Sequence, residues 1–133
     1  MRNEAPDSVA GAVALLAEAT GDARVLAGGT DLLVQMRADV VDPELIVDIK
    51  QIPETRSITE EKGGFRIGAA VTGAELKEHA KLKQAWPGVV EAANLIGSTQ
   101  VQGRATFCMI LDGDHQMLIV HFVGLPAFPF GDA

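Results

Sequence analysis

The chain has 133 residues, a net charge of −7, 47% hydrophobic and 22% charged residues, one cysteine and 14 glycines. That length and balance suit one globular domain, or one domain and a fragment of another, and exclude a disordered chain. The acidic balance argues against a nucleic-acid or anionic-membrane surface. The lone Cys108 excludes an intrachain disulfide and a cysteine-ligated iron–sulfur cluster within the chain.

No apolar run approaches a membrane span, and Met1 to Pro6 carry no apolar leader, so a cytoplasmic protein is expected. Asp7 or Ser8 is placed to cap a first helix, in which Val9, Val13, Leu16 and Ala17 recur at helical spacing and which Gly21 ends. Arg24 to Ala27 reads as a strand, followed by a glycine turn and a short helix from Asp31 to Arg37. Pro43 interrupts the chain before a second strand, Leu45 to Ile49. The order helix, strand, helix, strand predicts a small α/β unit ending near Pro53.

A second unit begins there. Ser57 to Glu61 and Gly64 to Ala69 flank Lys62-Gly63 as a hairpin. Thr72-Gly-Ala-Glu75 is a capping-box pattern opening a helix that runs towards Lys81, with His79 on its charged, solvated face. Pro87 opens another helix through Val90, Ala93 and Ile96, stopped by Gly97. Beyond Phe107 the composition changes: all Lys and Arg residues precede it, and most of the phenylalanines lie at or after it. Within this stretch the apolar run Met117 to Val123 reads as a strand with a loop-like tail.

The chemistry concentrates in Ala27-Gly28-Gly29-Thr30-Asp31-Leu32. A strand that turns through two glycines into a helix start can aim successive amides at one oxygen cluster. Gly28 and Gly29 can take positive φ and let a ligand approach the backbone. Thr30 or Asp31 is placed to cap the helix, and the Thr30 hydroxyl to meet a phosphate. The plainer reading is a βα turn with an N-cap and no ligand. Cys108, Asp112, Asp114, His115 and His121 are metal-ligand types at no defined spacing, so no metal site is assigned. There is no Gly-x-Ser-x-Gly, His-Glu-x-x-His or Gly-x-Gly-x-x-Gly, which argues against an esterase, a zincin and a Rossmann dinucleotide site.

Val25 to Arg37 resembles the first FAD-diphosphate motif of the flavin-binding medium subunit of molybdenum hydroxylases, the xanthine dehydrogenase and carbon monoxide dehydrogenase type. Leu45 to Ile49, Ile67 to Thr72 with Ala74-Glu75-Leu76, and Ile96 to Thr106 follow in the order of that family, so the resemblance covers about residues 8 to 106. It implies an α+β, PCMH-type FAD-binding fold. Residues 1–55 would form a small α/β subdomain, 56–106 the start of a second α+β subdomain, and 107–133 a divergent tail. It implies FAD as cofactor, bound by Ala27, Gly28, Gly29, Thr30, Asp31 and Leu32 in the first loop and by Thr106 in the second. Ile96 stands at a position that lines the flavin pocket, or is simply core.

The implied function is the FAD subunit of a multi-subunit molybdenum oxidoreductase. Its partners are an iron–sulfur and a molybdenum subunit, and electrons leave through FAD to an acceptor. Phe107-Cys108-Met109-Ile110 stands where the family has Ile-Gly-Gly-Asn, and a β-carbon there occupies ligand space, so weakened flavin binding is expected. Two alternatives follow: a truncated, non-catalytic remnant that folds but binds no flavin, and an unrelated module using the glycine loop for another phosphate compound. A half-built second subdomain should expose apolar surface, which invites self-association or a partner. The break in the resemblance at Phe107 predicts an appended tail, as from a shifted reading frame. Sequencing the parent DNA should then show the family pattern continuing in another frame; its absence there refutes the idea.

Overall fold

The computed structural model describes residues 1–61, 64–95, 98–106 and 119–123. Strand β1 (Arg2–Glu4), helix α1 (Val9–Glu18), β2 (Ala23–Leu26), α2 (Leu32–Arg37) and β3 (Leu45–Asp48) form the first layer. Its sheet has the order β1-β3-β2, with both pairings parallel: Arg2 and Ala23 flank Leu45 on either side. A central parallel strand is covered on both faces and reads as a continuous apolar run. Leu45, Ile46 and Val47 are accordingly all buried. Helix α1 starts where expected, with Ser8 Oγ accepting from the Gly11 amide at 3.2 Å, and buries Ala12 against this sheet with Val9, Leu15 and Leu16 packed around it.

Strand β1 has no counterpart in the sequence reading. Its three residues, Arg-Asn-Glu, are polar and mostly exposed, and show no alternation to recognise. Backbone pairing holds them, including Arg2 N–H to the Glu44 carbonyl at 2.7 Å.

A 3₁₀ turn, Pro53–Arg56, leads into the second layer. Its Thr55 is fully buried yet satisfied: Oγ1 lies 2.7 Å from the Ile49 carbonyl and 2.8 Å from that of Ile52. The predicted hairpin is β4 (Ile58–Glu61) and β5 (Gly64–Gly68), paired antiparallel from Ile58↔Ile67 to Glu61↔Gly64. Strand β6 (Ile119–Val123), within the run read as a strand, adds antiparallel to the other edge of β5 from Gly64↔Val123 to Gly68↔Ile119. The order is β4-β5-β6. Phe65 and Ile67 of β5 face the second core with Val71, Leu76, Leu82, Val90 and Ala93. These come from the turn after β5 and from helices α3 (Gly73–Glu78), α4 (Ala80–Ala85) and α5 (Pro87–Asn94). A last short helix, α6 (Thr99–Gln102), precedes Thr106. The architecture is thus α+β, a parallel α/β layer followed by an antiparallel sheet with helices. Among the described residues no helix is long and apolar enough to cross a membrane.

The helix expected to run to Lys81 is two helices. His79 leaves helical geometry (ψ 98°), and its Nδ1 accepts from the Leu82 amide at 3.1 Å, capping α4. Its ring meets Phe65 edge-on at 6.0 Å. His79 is therefore a half-buried cap and not a solvated side chain, because a ring nitrogen that satisfies a free amide competes with helix continuation.

The capping box of α3 forms in full. Glu75 N–H donates to Thr72 Oγ1 at 3.2 Å, and Thr72 N–H donates to Glu75 Oε2 at 2.7 Å. Partial burial pushes the Glu75 carboxyl up, but the Thr72 amide and hydroxyl and the Arg56 guanidinium outweigh it, and the net shift is below the ordinary 4.5. A carboxylate depressed by folding contributes stability above its unfolded value and loses it as pH falls through the folded one. Thr72→Ala should cost about 1 kcal/mol at neutral pH. Glu75→Ala should lose less stability than the wild type as pH falls below 4.5. Urea unfolding followed through Trp86, the only tryptophan, measures both.

Candidate functional site

Strand β2 ends at Leu26, and Ala27, almost buried, starts the loop that carries the predicted site. Only Gly29, at +74°, has positive φ among the described glycines; Gly28 does not. The two glycines serve different ends. At Gly29 the backbone lies in the left-handed region that side chains resist. At Gly28 a Cβ would overlap the Arg104 carbonyl oxygen and stand 3.1 Å from the Thr106 nitrogen.

The loop is tied directly to the second layer. Gly28 N–H donates to Thr106 Oγ1 at 3.2 Å, and Thr106 is only 3% exposed. Thr106 is held in turn by a backbone bridge to Thr72 and by Gly73 N–H to the Ala105 carbonyl at 2.9 Å. The α3 capping box therefore supports the loop from behind.

Asp31 occupies the N-cap position of α2, but its side chain caps no amide; Oδ2 instead accepts from Gln35 Nε2 at 2.8 Å. With the carboxylate drawn down the helix, the amides of Gly29, Asp31 and Leu32 donate to no group among the described residues. Open amides of this kind are what an anion needs.

Beside the loop lies a cleft of about 440 Å³ between α2 and α6, lined by Gly29, Thr30, Leu33, Val34, Arg37, Gln100, Val101 and Arg104. Its size falls in the usual range for small-molecule sites. Ala27 to Leu32 and Thr106 are thus brought together at one edge of it. Ile96, the Phe107 to Ile110 stretch and the side chains of Cys108, Asp112, Asp114, His115 and His121 lie outside the described residues. The sequence reading missed the cleft walls. Leu33 and Arg37, spaced i, i+4, lie on one face of α2, while Gln100 belongs to α6 and Arg104 to the turn that follows it. The i, i+4 spacing of Leu33 and Arg37 was the available signal; the structure shows Leu33 40% and Val34 60% exposed on that short helix.

Residues 1–108 match the family described as the FAD binding domain in molybdopterin dehydrogenase, and the chain belongs to that family. The match begins earlier than the motifs alone suggested and takes in β1. The chain is 42% identical over 102 residues to the carbon monoxide dehydrogenase medium chain of Hydrogenophaga pseudoflava, covering 77% of this chain and 36% of that one. It is 38% identical over 101 residues to the xanthine dehydrogenase FAD-binding subunit of Escherichia coli O157:H7, covering 75% and 34%. The chain therefore spans about a third of the length of these relatives. A solved carbon monoxide dehydrogenase from Hydrogenophaga pseudoflava superposes with a TM-score of 0.77 at 40% identity, over 81% of this chain and 38% of that one. Quinoline 2-oxidoreductase from Pseudomonas putida 86 gives 0.76 at 27% identity, over 81% and 38%.

The contact at Gly28 has a direct test. Its neighbour there is backbone and has little room to yield. Gly28→Ala should destabilise the chain by about 1–3 kcal/mol through overpacking. Urea unfolding measures the cost, and a change below a few tenths of a kcal/mol would show that the two layers separate easily.

Proposed function

We propose that this chain holds FAD in the cleft between its two layers and serves as the flavin-binding part of a multi-subunit molybdenum-containing oxidoreductase. The observation that carries the reading is the juxtaposition at Thr106. A positive-φ glycine loop with open amides meets the second-layer residue that the family resemblance assigns to the other diphosphate loop. The residues fit a diphosphate: Gly29 gives the bend, and Ala27, Thr30, Asp31 and Leu32 present backbone around it. Gly28 and Thr106 act by holding the two loops in register. Ile96 is assigned to the flavin pocket on the resemblance alone. FAD, when bound, supplies the redox chemistry by taking up electrons and handing them on. The chain's own part is to bind, orient and exclude water; no side chain here is assigned as acid or base.

In this reading electrons arrive from iron–sulfur clusters on a partner chain, downstream of a molybdenum subunit, and leave to an external acceptor. Residues 1–55 and 56–106 are proposed as the two subdomains that enclose the cofactor, and 107–133 as a divergent tail. Exposed Leu95 (86%) and Val40 (69%) support association with partner subunits or with a second copy of the chain. A second reading, a folded remnant that binds no flavin, is favoured by Cys108 and Met109 at positions where the family has glycines.

FAD titration followed by flavin fluorescence separates the two. Saturable one-to-one binding that Gly29→Val abolishes, with the Trp86 emission of the fold retained, supports the flavin reading. No binding to a folded wild-type chain supports the remnant.

A further inference from the structure

The glycine loop offers a diphosphate only partial charges, and the one full charge within it, the Asp31 carboxylate, is negative. The chain as a whole carries −7. Positive charge from outside the loop would add to the hold of its amides on a phosphate. The cleft walls supply it. Arg2, Arg24 and Arg56 each pair with a carboxylate, to Glu4 at 3.3 Å, Asp22 at 2.9 Å and Glu75 at 3.3 Å. Arg37 and Arg104 pair with no acid among the described residues, and both line the cleft, one from each wall.

Their positions differ. Arg104 stands at the loop end, since its own carbonyl packs on Gly28. Arg37 lies at the far end of α2, roughly 10 Å along the helix axis from Thr30 at 1.5 Å per residue. Between them run the apolar side chains of Leu33, Val34 and Val101. Cation, apolar wall and cation along one cleft match a ligand with a flat, apolar group next to phosphate. Guanidinium suits both parts, because it binds phosphate through a fork of donors and stacks on aromatic faces.

We propose that Arg37 and Arg104 bind the phosphate-bearing part of the ligand, with Arg104 on the phosphate nearest Gly29, and that they select a nucleoside diphosphate ester over an uncharged flavin. The identity of the ligand as FAD rests on the preceding reading; the recognition of a diphosphate by these two residues does not. Both side chains are exposed, so their attraction is screened by salt.

Calorimetric titration of the whole chain with ADP, FAD and riboflavin at low and high salt tests this. ADP and FAD should bind with an affinity that falls as salt rises. Arg104→Gln and Arg37→Gln should each weaken both by about tenfold, the scale of one charge-assisted contact. They should also flatten the salt dependence, leave riboflavin unchanged and be rescued only in part by lysine, which restores the charge but not the fork of donors. If both glutamine variants bind FAD like the wild type while Gly29→Val does not bind, the arginine assignment is overturned and the flavin reading stands. If ADP binds in an arginine-dependent way and FAD binds no tighter than ADP, the arginine assignment stands and the flavin reading falls. No binding of either nucleotide to the folded wild type overturns both.

Discussion

The structure turns on one close approach, the Arg104 carbonyl against the bare Cα of Gly28, closed by Gly28 N–H on Thr106 Oγ1. Gly28 and Thr106 are 78 positions apart; Gly28 follows β2 of the first sheet, and Thr106 bridges to Thr72, which follows β5 of the second. Each layer has its own apolar core, one around Val47 and Ile49 and the other around Phe65 and Ile67. The cores alone do not define where the loop after β2 sits relative to α6. A short backbone contact does, because a carbonyl can approach a glycine where no side-chain residue would fit. The cleft is the space left beside that contact.

The same contact explains why support for the site comes from residues with no part in ligand contact. Thr106 is positioned by its bridge to Thr72, and Thr72 by its reciprocal bonds with Glu75. Arg56, from the turn joining the two sheets, reaches the same carboxylate at 3.3 Å. The chain of contacts runs from the inter-sheet turn, through a helix cap, to the loop. Its bonds at Thr72 and Thr106 are partly buried, and a partly buried donor left unmade is costly, which makes such a chain a means of holding geometry.

Legibility followed the range of the interactions. Ser8 and the Thr72 capping box are local patterns in which one residue meets another three positions away, the β4–β5 hairpin is a short-range pairing, and all three were readable. The PCMH-type fold was readable through its motifs, and the family match over residues 1–108 bears it out. Strand β1 was not readable, because three polar residues at a sheet edge gain their conformation from β3, more than forty residues on. The break at His79 was hidden because its imidazole caps α4 while its ring packs on Phe65, a contact between distant segments. Gly28 was read as able to take positive φ; it does not, and its constraint, the Arg104 carbonyl, is again non-local.

Net charge was the least informative of the global quantities for this site. A charge of −7 bears on the far field of the chain, but within a Debye length of about 8 Å at physiological salt the neighbours dominate. Around the cleft the carboxylate of Asp31 is drawn to Gln35, while Arg37 and Arg104 line the opening and pair with no acid among the described residues. An acidic chain with a locally basic cleft repels most polyanions, which meet its whole surface. It still admits a small anion that reaches the cleft, so the acidic balance that argues against nucleic acid is compatible with a diphosphate ligand.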